Sequence, residues 1–191
     1  MTTLVLASTS PYRRELLARL GLAFTAAAPR VDETPRPGES AAALVRRLAA
    51  AKAAAVAGQQ PGACVIGSDQ AALRDGVVLG KAGSREGAIA QLTAASGREV
   101  AFHTAWCVLA ADGRRREGVD ITRVRFRALA ADEIARYVDA ERPWDCAGSF
   151  KCEGLGISLF EAIESQDPTA LIGLPLIAVA AALRAAGYAV P

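Results

Sequence analysis

The chain has 191 residues, of which 52% are hydrophobic and 22% charged, and its formal net charge is +2. This length suits one domain over residues 1–191, and the composition is that of a folded protein with a buried core. The near balance of charge disfavours a general nucleic-acid or membrane surface, so any phosphate binding must come from charges placed locally. We expect neither a targeting leader nor a membrane-spanning helix.

Cysteine and histidine usage restricts the chemistry. The four cysteines have neither CxxC spacing nor a dense framework, so we expect the reduced thiols of a cytosolic protein. His103 is the single histidine, which excludes a multi-histidine metal site. It lies in an alternating, strand-like run without a GxSxG motif, where a structural role is expected. A hydrolase of this sequence would therefore use carboxylates and cations.

In the first half of the chain, strand and helix signals alternate. A short apolar run over residues 3–7 predicts a buried strand. Ser10 as N-cap, Pro11 at the first helical position and Gly21 as the stop predict the first helix. The further predicted elements are a strand at 23–28, a helix from Ser40 to Ala57, strands at 63–67 and 77–79, and a helix from Ser84 to about Gly97.

The second half begins with a predicted hairpin. Two long β-like runs, 98–110 and 115–127, are joined by Asp112-Gly113, which is a strong turn signal. The remaining predictions are a helix at 131–141, an extended segment at 157–164 and a helix at 174–187. Together these patterns predict a mixed α/β fold.

The first candidate site is the strand-to-helix turn at residues 7–14. Unpaired N–H groups and the positive end of the helix dipole suit a phosphate there. Arg13 and Arg14 add charge and bidentate donors, and Ser8 adds a hydroxyl. An ordinary capped helix with solvated arginines explains this stretch better when it is taken alone.

The second candidate is Asp69, in Ile66-Gly67-Ser68-Asp69-Gln70, which we place directly after a buried strand. A carboxylate there suits a divalent cation or the removal of a proton from water. The acidic loop with Asp32 and Glu33 could supply a second ligand, and oxygen ligands favour magnesium or manganese over zinc. A plain turn role for Asp69 is an equally good interpretation.

A third segment, Gly76–Ala82, has the look of a phosphate-binding P-loop. It has three residues rather than four between the glycines, and Ala82 stands where that motif has a metal-binding hydroxyl. It also follows a predicted hairpin instead of opening a helix. We reject the P-loop, but Lys81 remains a cation on a tight turn.

Taken together, these segments resemble the Maf family of nucleotide pyrophosphatases over essentially the whole chain, in order. One departure is Ala82, where the family usually has proline after Gly-Lys. The matching segments are Leu4–Leu17, Val31-Asp32-Glu33, Ala51-Lys52-Ala53, Gly67-Ser68-Asp69-Gln70, Gly80-Lys81, Cys146–Phe150, Gly154–Ile157 and Ile172-Gly173-Leu174-Pro175.

The resemblance implies a mixed α/β fold of the inosine-triphosphatase type, with an active site in a central cleft between two lobes. It also implies a cytoplasmic, commonly homodimeric enzyme that needs a divalent cation, magnesium or manganese. From the charge balance we expect neither nucleic acid nor membrane as a partner. Asp69 would be the general base, and Glu33 and Asp69 would hold the metal. Arg13, Arg14, Lys52 and Lys81 would neutralise the triphosphate and the leaving pyrophosphate.

Three positions bear on the substrate. The resemblance implies that members acting on dTTP and UTP carry Arg, Thr and Gln at three positions. This chain has Tyr12, Gln70 and Glu153 there, which is similar to the branch that hydrolyses 7-methyl-GTP. The Watson–Crick edge of N7-methylguanine presents two donors, which the Glu153 carboxylate could accept with charge assistance. Tyr12 could stack on the cationic base. Core packing for Tyr12 and a solvated loop position for Glu153 are the plain alternatives.

Three functions therefore stand at this point. The leading one is hydrolysis of 7-methyl-GTP to 7-methyl-GMP and pyrophosphate. The second is a dTTP/UTP pyrophosphatase or a broad house-cleaning hydrolase of modified nucleotides. The third is a nucleotide-binding regulator of cell division. The presence of Asp69, Glu33, Lys52 and Lys81 favours hydrolysis over binding alone.

Overall fold

The structure is a computed structural model that describes residues 2–191. The strands are β1 (Leu4–Ala7), β2 (Thr25–Ala27), β3 (Cys64–Arg74), β4 (Val77–Leu79), β5 (Glu99–Leu109), β6 (Arg115–Phe126) and β7 (Phe160–Glu164). The α-helices are α1 (Pro11–Ala18), α2 (Ala41–Ala57), α3 (Arg85–Ala95), α4 (Ala131–Glu141) and α5 (Leu176–Ala185), and a 3-10 helix covers Leu155–Leu159. The predicted mixed α/β class is confirmed.

Within residues 2–191, seven strands form one hydrogen-bonded sheet in the order β2-β1-β3-β5-β6-β7, with β4 paired to β3. β1 runs parallel to both β2 and β3, with Leu4 opposite Cys64 and Ala7 opposite Gly67. β4 is antiparallel to the second half of β3, and β7 is antiparallel to β6. The sheet is therefore mixed, as the combination of crossover helices and a hairpin requires.

Two predicted elements were placed wrongly. β3 does not end at residue 67 but continues to Arg74, because its second half pairs with β4 from Ala72 onwards. Asp69 therefore lies inside a strand and not directly after one. The segment at 157–164 is extended only from Phe160, since a 3-10 helix precedes it. The other boundaries agree to within a few residues.

The chain forms two compact units. The first comprises residues 1–70, 104–120 and 167–191, and the second comprises residues 71–103 and 121–166. The core of the first unit packs α1 and α5 against β1 and the start of β3, with Leu6, Leu17, Ile66 and Leu183 fully buried. This core gives β3 a rigid base on which the polar residues that follow Ile66 are held.

The second unit has an aromatic core. Four phenylalanines pack edge to face, with ring centroids 4.8 to 5.7 Å apart, a favourable arrangement for aromatic pairs. They are Phe102, Phe126, Phe150 and Phe160. Phe150 thereby anchors the segment that leads to Glu153.

Two further predictions concern the cysteines, expected to be reduced thiols, and the helices, none of which is expected to span a membrane. All four cysteines are free. Among residues 2–191, no helix combines the length and the apolar character that crossing a membrane requires.

Candidate active site

Gly67 on β3 lets this strand approach helix α2 very closely. A Cβ atom at residue 67 would lie 2.1 Å from the carbonyl oxygen of Ala49 and 2.8 Å from the nitrogen of Ala53, so any side chain would force the two elements apart. Glycine in a strand often marks such an approach of another backbone. The contact places Lys52 of α2 beside Asp69, two residues beyond Gly67.

Lys52 is the centre of a charged cluster in the first unit. Its Nζ lies 2.6 Å from Asp69 Oδ1 and 2.7 Å from Glu33 Oε1. The side chain of Lys52 is 7% exposed, that of Asp69 13% and that of Glu33 60%. Because an unpaired buried charge is costly, the two carboxylates compensate the burial of the Lys52 ammonium. The structure thus brings together three residues predicted for the site.

Arg13 adds a second cation near the same carboxylates. Burial raises the pKa of Asp69, while the charges of Lys52 and Arg13 and the hydrogen bond from Lys52 oppose that rise. Burial likewise lowers the pKa of Arg13, and the carboxylates of Asp69 and Glu33 oppose that fall. Asp69 is therefore a carboxylate whose proton affinity is set by burial and two cations, as is common at active sites.

The turn before α1 places the other predicted phosphate ligands. Ser10 caps the helix by accepting a hydrogen bond from Arg13 N at 3.4 Å, and Ser8 is buried and accepts one from Ser10 N at 3.1 Å. Arg13 Nε donates to the Gly173 carbonyl at 2.8 Å. Tyr12 is half-buried and Arg14 is exposed. Arg13 is thus fixed by a hydrogen bond to the backbone, whereas Arg14 is exposed to solvent.

Gln70 binds the segment before α5. Its Nε2 lies 2.9 Å from Thr104 Oγ1, 3.1 Å from the Ala170 carbonyl and 3.0 Å from the Leu171 carbonyl. The hydroxyl of Thr104 donates to Ala170 at 2.9 Å, so its oxygen is left to accept from Gln70. Gln70 is predicted to bind substrate, and its amide nitrogen is engaged within the protein.

Sequence reasoning gave no individual role to Ser68, Thr104 or Gly173. Ser68 and Thr104 are fully buried polar residues inside strands, and Gly173 has a backbone φ of 127°. A polar residue within an apolar strand signals a buried hydrogen bond, but its partner lies far away in the chain. The motif around Gly173 can be recognised in the sequence, whereas the contacts of its carbonyl with Arg13 and Ser68 are visible only in the structure.

Lys81, the predicted second catalytic lysine, lies in the second unit and is exposed. Its backbone forms an isolated antiparallel bridge with Ala147, next to Cys146–Phe150. Gln91 Nε2 donates to the Gly80 carbonyl at 3.0 Å, and Gln91 Oε1 accepts from Ser149 at 2.6 Å. The backbone of the Gly80-Lys81 turn is therefore fixed, even though the side chain of Lys81 is exposed.

Glu153 also lies in the second unit, and its side chain is exposed. The residues on either side of it are tied down, because Lys151 N donates to the Tyr137 hydroxyl at 3.0 Å and Leu155 N donates to Glu141 Oε1 at 3.0 Å. The Cys152 thiol lies 3.5 Å from Glu153 Oε2. Burial and this carboxylate raise the pKa of Cys152 to about 12, so the thiol stays protonated.

The proposed metal donors can be tested against the structure. Among residues 2–191, no group of three or more His, Cys, Asp or Glu side chains lies close enough to hold a metal ion. Asp69 and Glu33 do converge on one point, the Lys52 ammonium. Mg²⁺ is commonly bound through one or two carboxylates, water and substrate phosphates, so the donor chemistry of Asp69 and Glu33 fits that ion.

Known proteins resemble this chain over its full length. Residues 3–186 match the family model described as Maf-like protein, and the chain belongs to that family. It is 61% identical to the 7-methyl-GTP pyrophosphatase of Xanthomonas oryzae pv. oryzae and 53% identical to that of Pseudomonas aeruginosa, over the full length of each.

A solved structure of the nucleoside-triphosphatase / dITP/XTP pyrophosphatase from Mycobacterium abscessus is also similar. Its identity to this chain is 18% and the TM-score is 0.43, over 65% of this chain and 73% of that one.

Proposed function

We propose that this protein is a nucleotide pyrophosphatase that hydrolyses 7-methyl-GTP to 7-methyl-GMP and pyrophosphate. The observation that carries the proposal is the buried Lys52–Asp69 pair with Glu33 and Arg13 beside it. This cluster combines a carboxylate that can accept a proton with cations that can bind a polyphosphate. It occurs in a chain 61% identical to a protein named for that reaction.

Asp69 is the proposed general base. Its Oδ1 accepts from Lys52 Nζ, which fixes the carboxylate and leaves Oδ2 to take a proton from water. The water oxygen bonds to the α-phosphorus while the bond from that phosphorus to the bridging oxygen breaks. The pyrophosphate leaves with the bonding electrons, and the monophosphate remains. Burial, which raises the pKa of Asp69, makes it a stronger base than an exposed aspartate.

The cations bind and stabilise the triphosphate. Arg13 has its Nε held by Gly173, and its two terminal nitrogens would bind phosphate oxygens. Lys52 neutralises charge next to the base, while Arg14 and Lys81 are exposed and supply further positive charge. Positioning and electrostatic stabilisation are the main sources of rate enhancement in phosphoryl chemistry.

A divalent cation, magnesium or manganese, completes the proposed site. Glu33 and Asp69 would hold it, together with oxygens of the substrate. When bound, the ion supplies charge neutralisation for the phosphates.

Base recognition is assigned to Glu153 and Tyr12. The exposed carboxylate of Glu153 can accept from the two donors of the guanine edge, and its backbone is fixed by Tyr137 and Glu141. The half-buried Tyr12 is proposed to stack on the cationic ring. We further propose a cytoplasmic homodimer as the working form, which light scattering of the purified protein would test.

The proposal is tested by incubating the purified protein with 7-methyl-GTP, GTP, dTTP and UTP, with magnesium, manganese or a chelator. We expect 7-methyl-GTP to have the highest kcat/KM and phosphorus NMR to identify pyrophosphate as the product. Release of orthophosphate and a nucleoside diphosphate would overturn the assigned reaction. A preference for dTTP or UTP would overturn the assigned substrate but not the reaction.

A further inference from the structure

The segment 170–173, just before α5, is held by polar side chains of β3 and β5. Gln70 donates to the carbonyls of Ala170 and Leu171, and Thr104 donates to Ala170. The last carbonyl of the segment, that of Gly173, accepts from Arg13 Nε at 2.8 Å and lies 2.9 Å from Ser68 Oγ. A backbone carbonyl is therefore the point at which the phosphate-binding arginine is joined to the strand that carries Asp69.

Ser68, which is completely buried, contacts the Gly173 carbonyl. Its hydroxyl has one proton and lies near two acceptors, the Ala105 carbonyl at 2.8 Å and the Gly173 carbonyl at 2.9 Å. The proton is shared between them or moves from one to the other. Arg13 Nε supplies the Gly173 oxygen with its second donor. Ser68 and Arg13 thus depend on each other through one shared acceptor.

The tether at Nε decides how the Arg13 guanidinium is oriented. The guanidinium is planar, so a hydrogen bond from Nε restricts its rotation and directs its two terminal nitrogens. The charge of Arg13 acts on the carboxylates of both Asp69 and Glu33. A loose Arg13 would keep its charge but lose the fixed donor geometry that bidentate phosphate binding needs.

Gly173 is suited to this role by its backbone. Its φ of 127° is a conformation that residues with a side chain rarely adopt, and a Cβ there would lie 3.4 Å from Arg13 Nε. The glycine therefore lets the carbonyl turn toward Arg13 and lets the guanidinium lie directly against the backbone.

We propose that Ser68 is a positioning residue, whose buried hydroxyl fixes the Gly173 carbonyl and thereby orients the Arg13 guanidinium for a substrate polyphosphate. The inference rests on the proposed function only in taking a nucleoside triphosphate as the ligand of Arg13. It requires neither a methylated base nor a particular bond to be cleaved.

A double-mutant cycle tests it. In the wild-type background, Ser68→Ala is expected to lower kcat/KM about tenfold, the factor expected if the free energy of about one hydrogen bond is lost from substrate positioning. In an Arg13→Lys background, the same substitution is expected to cost less than about twofold, because lysine has no Nε–H for Gly173 to hold. Partial recovery is expected in Ser68→Cys, whose thiol is a weak donor.

Equal losses in both backgrounds would overturn the proposal, because a purely structural role of Ser68 does not depend on residue 13. Unchanged activity in Ser68→Ala would overturn it as well. If Ser68→Ala does not fold, Ser68→Cys replaces it in the cycle. The matched control is Tyr188→Phe, which removes a hydroxyl that donates to the Thr2 carbonyl at 3.0 Å in the same unit, and no change in kcat/KM is expected.

The cycle is run with whichever triphosphate the wild-type protein hydrolyses fastest. If none is hydrolysed, the dissociation constant of an α,β-methylene GTP analogue, measured by calorimetry, replaces kcat/KM. Failure of the proposed function is then seen in the wild-type protein, whereas failure of this inference is seen only in the comparison of the two backgrounds.

Discussion

In the first unit, Lys52 and Asp69 are buried and joined by a contact of 2.6 Å, whereas in the second unit the side chains of Lys81 and Glu153 are exposed. Lys52 and Asp69 are predicted to take part in the chemical step, Lys81 to bind the triphosphate and Glu153 to recognise the base. The first pair is held by its own charges and by close packing at Gly67. Around Lys81 and Glu153 the backbone is held, by Ala147 and Gln91 at one loop and by Tyr137 and Glu141 at the other.

The difference in burial suits the two roles that we propose, proton transfer and recognition of the base. A proton acceptor and its neighbouring cation need fixed geometry before substrate arrives, because electrostatic stabilisation is effective only when it is preorganised. A residue that recognises a base needs an accessible side chain on a stable backbone. The contrast is thus between Lys52 and Asp69, which are buried and which we propose for the chemical step, and Glu153, which is exposed on an anchored loop and which we propose for specificity.

The largest expected effect is on the buried side of the comparison. Asp69→Asn keeps the shape but cannot accept the proton, so kcat is expected to fall by at least ~100-fold while the protein stays folded. Steady-state kinetics and the thermal unfolding midpoint measure the two effects. The matched control is Asp112→Asn, on the exposed hairpin turn, which is expected to retain full activity. Near-wild-type turnover by a folded Asp69→Asn protein would remove Asp69 from the role of base.

The adjacent arginines make a second test within one helix turn. Arg13→Lys loses the tether to Gly173 and the bidentate donors, and we expect kcat/KM to fall ~10- to 100-fold. Arg14→Lys keeps the charge of an exposed side chain, so a loss of less than ~5-fold is expected. Equal losses in the two variants would show that charge alone matters at both positions.

The exposed side of the comparison is tested by Glu153→Gln. Losing a charge-assisted contact typically costs ~1.5–3 kcal/mol, which is roughly one to two powers of ten in discrimination. We expect kcat/KM for 7-methyl-GTP to fall by that factor, and the values for GTP and UTP to change much less. Glu161→Gln, at an exposed ion pair with Arg125, is the control and should alter none of the three.

A uniform fall for all three nucleotides in Glu153→Gln would assign this residue to folding or catalysis instead of base recognition. No change at all would make it a solvated loop acid and would leave the preference for the methylated base unexplained.

The smallest expected effect is a shift of the acid limb of the pH–rate profile in Lys52→Met. As the pH falls through the pKa of Asp69, the base becomes protonated and activity is lost, and burial places that limb above the usual aspartate value of 3.8. Lys52 lowers this pKa, so Lys52→Met should move the limb to higher pH in whatever activity remains. A limb that stays in place would mean that another group titrates there. Arg85→Met, at an exposed ion pair, is the control.

How far the site could be predicted differs from residue to residue. The motifs around Arg13, Glu33, Lys52 and Asp69 were recognised together, and the structure brings these four charges together. Gln70 is predicted to bind substrate, and in the structure its amide nitrogen binds Thr104 and the 170–171 carbonyls. A polar residue in a motif looks the same in sequence whether it faces a ligand or a distant backbone segment.

The sequence by itself determined the local elements. Helix α4 was predicted at 131–141 and covers Ala131–Glu141, since Glu133 accepts from Ala130 N and so caps its own helix. The hairpin at Asp112-Gly113 likewise forms where it was expected, because such signals act between residues only a few positions apart.

Only the tertiary structure decided which distant groups meet. Lys52 and Asp69 are separated by 17 positions, and Ser68 and Gly173 by 105. Their contacts depend on how closely β3 and α2 approach at Gly67, and on where the segment before α5 lies against β3. No pattern of spacing encodes such an approach, because it results from the packing of the whole core around these residues.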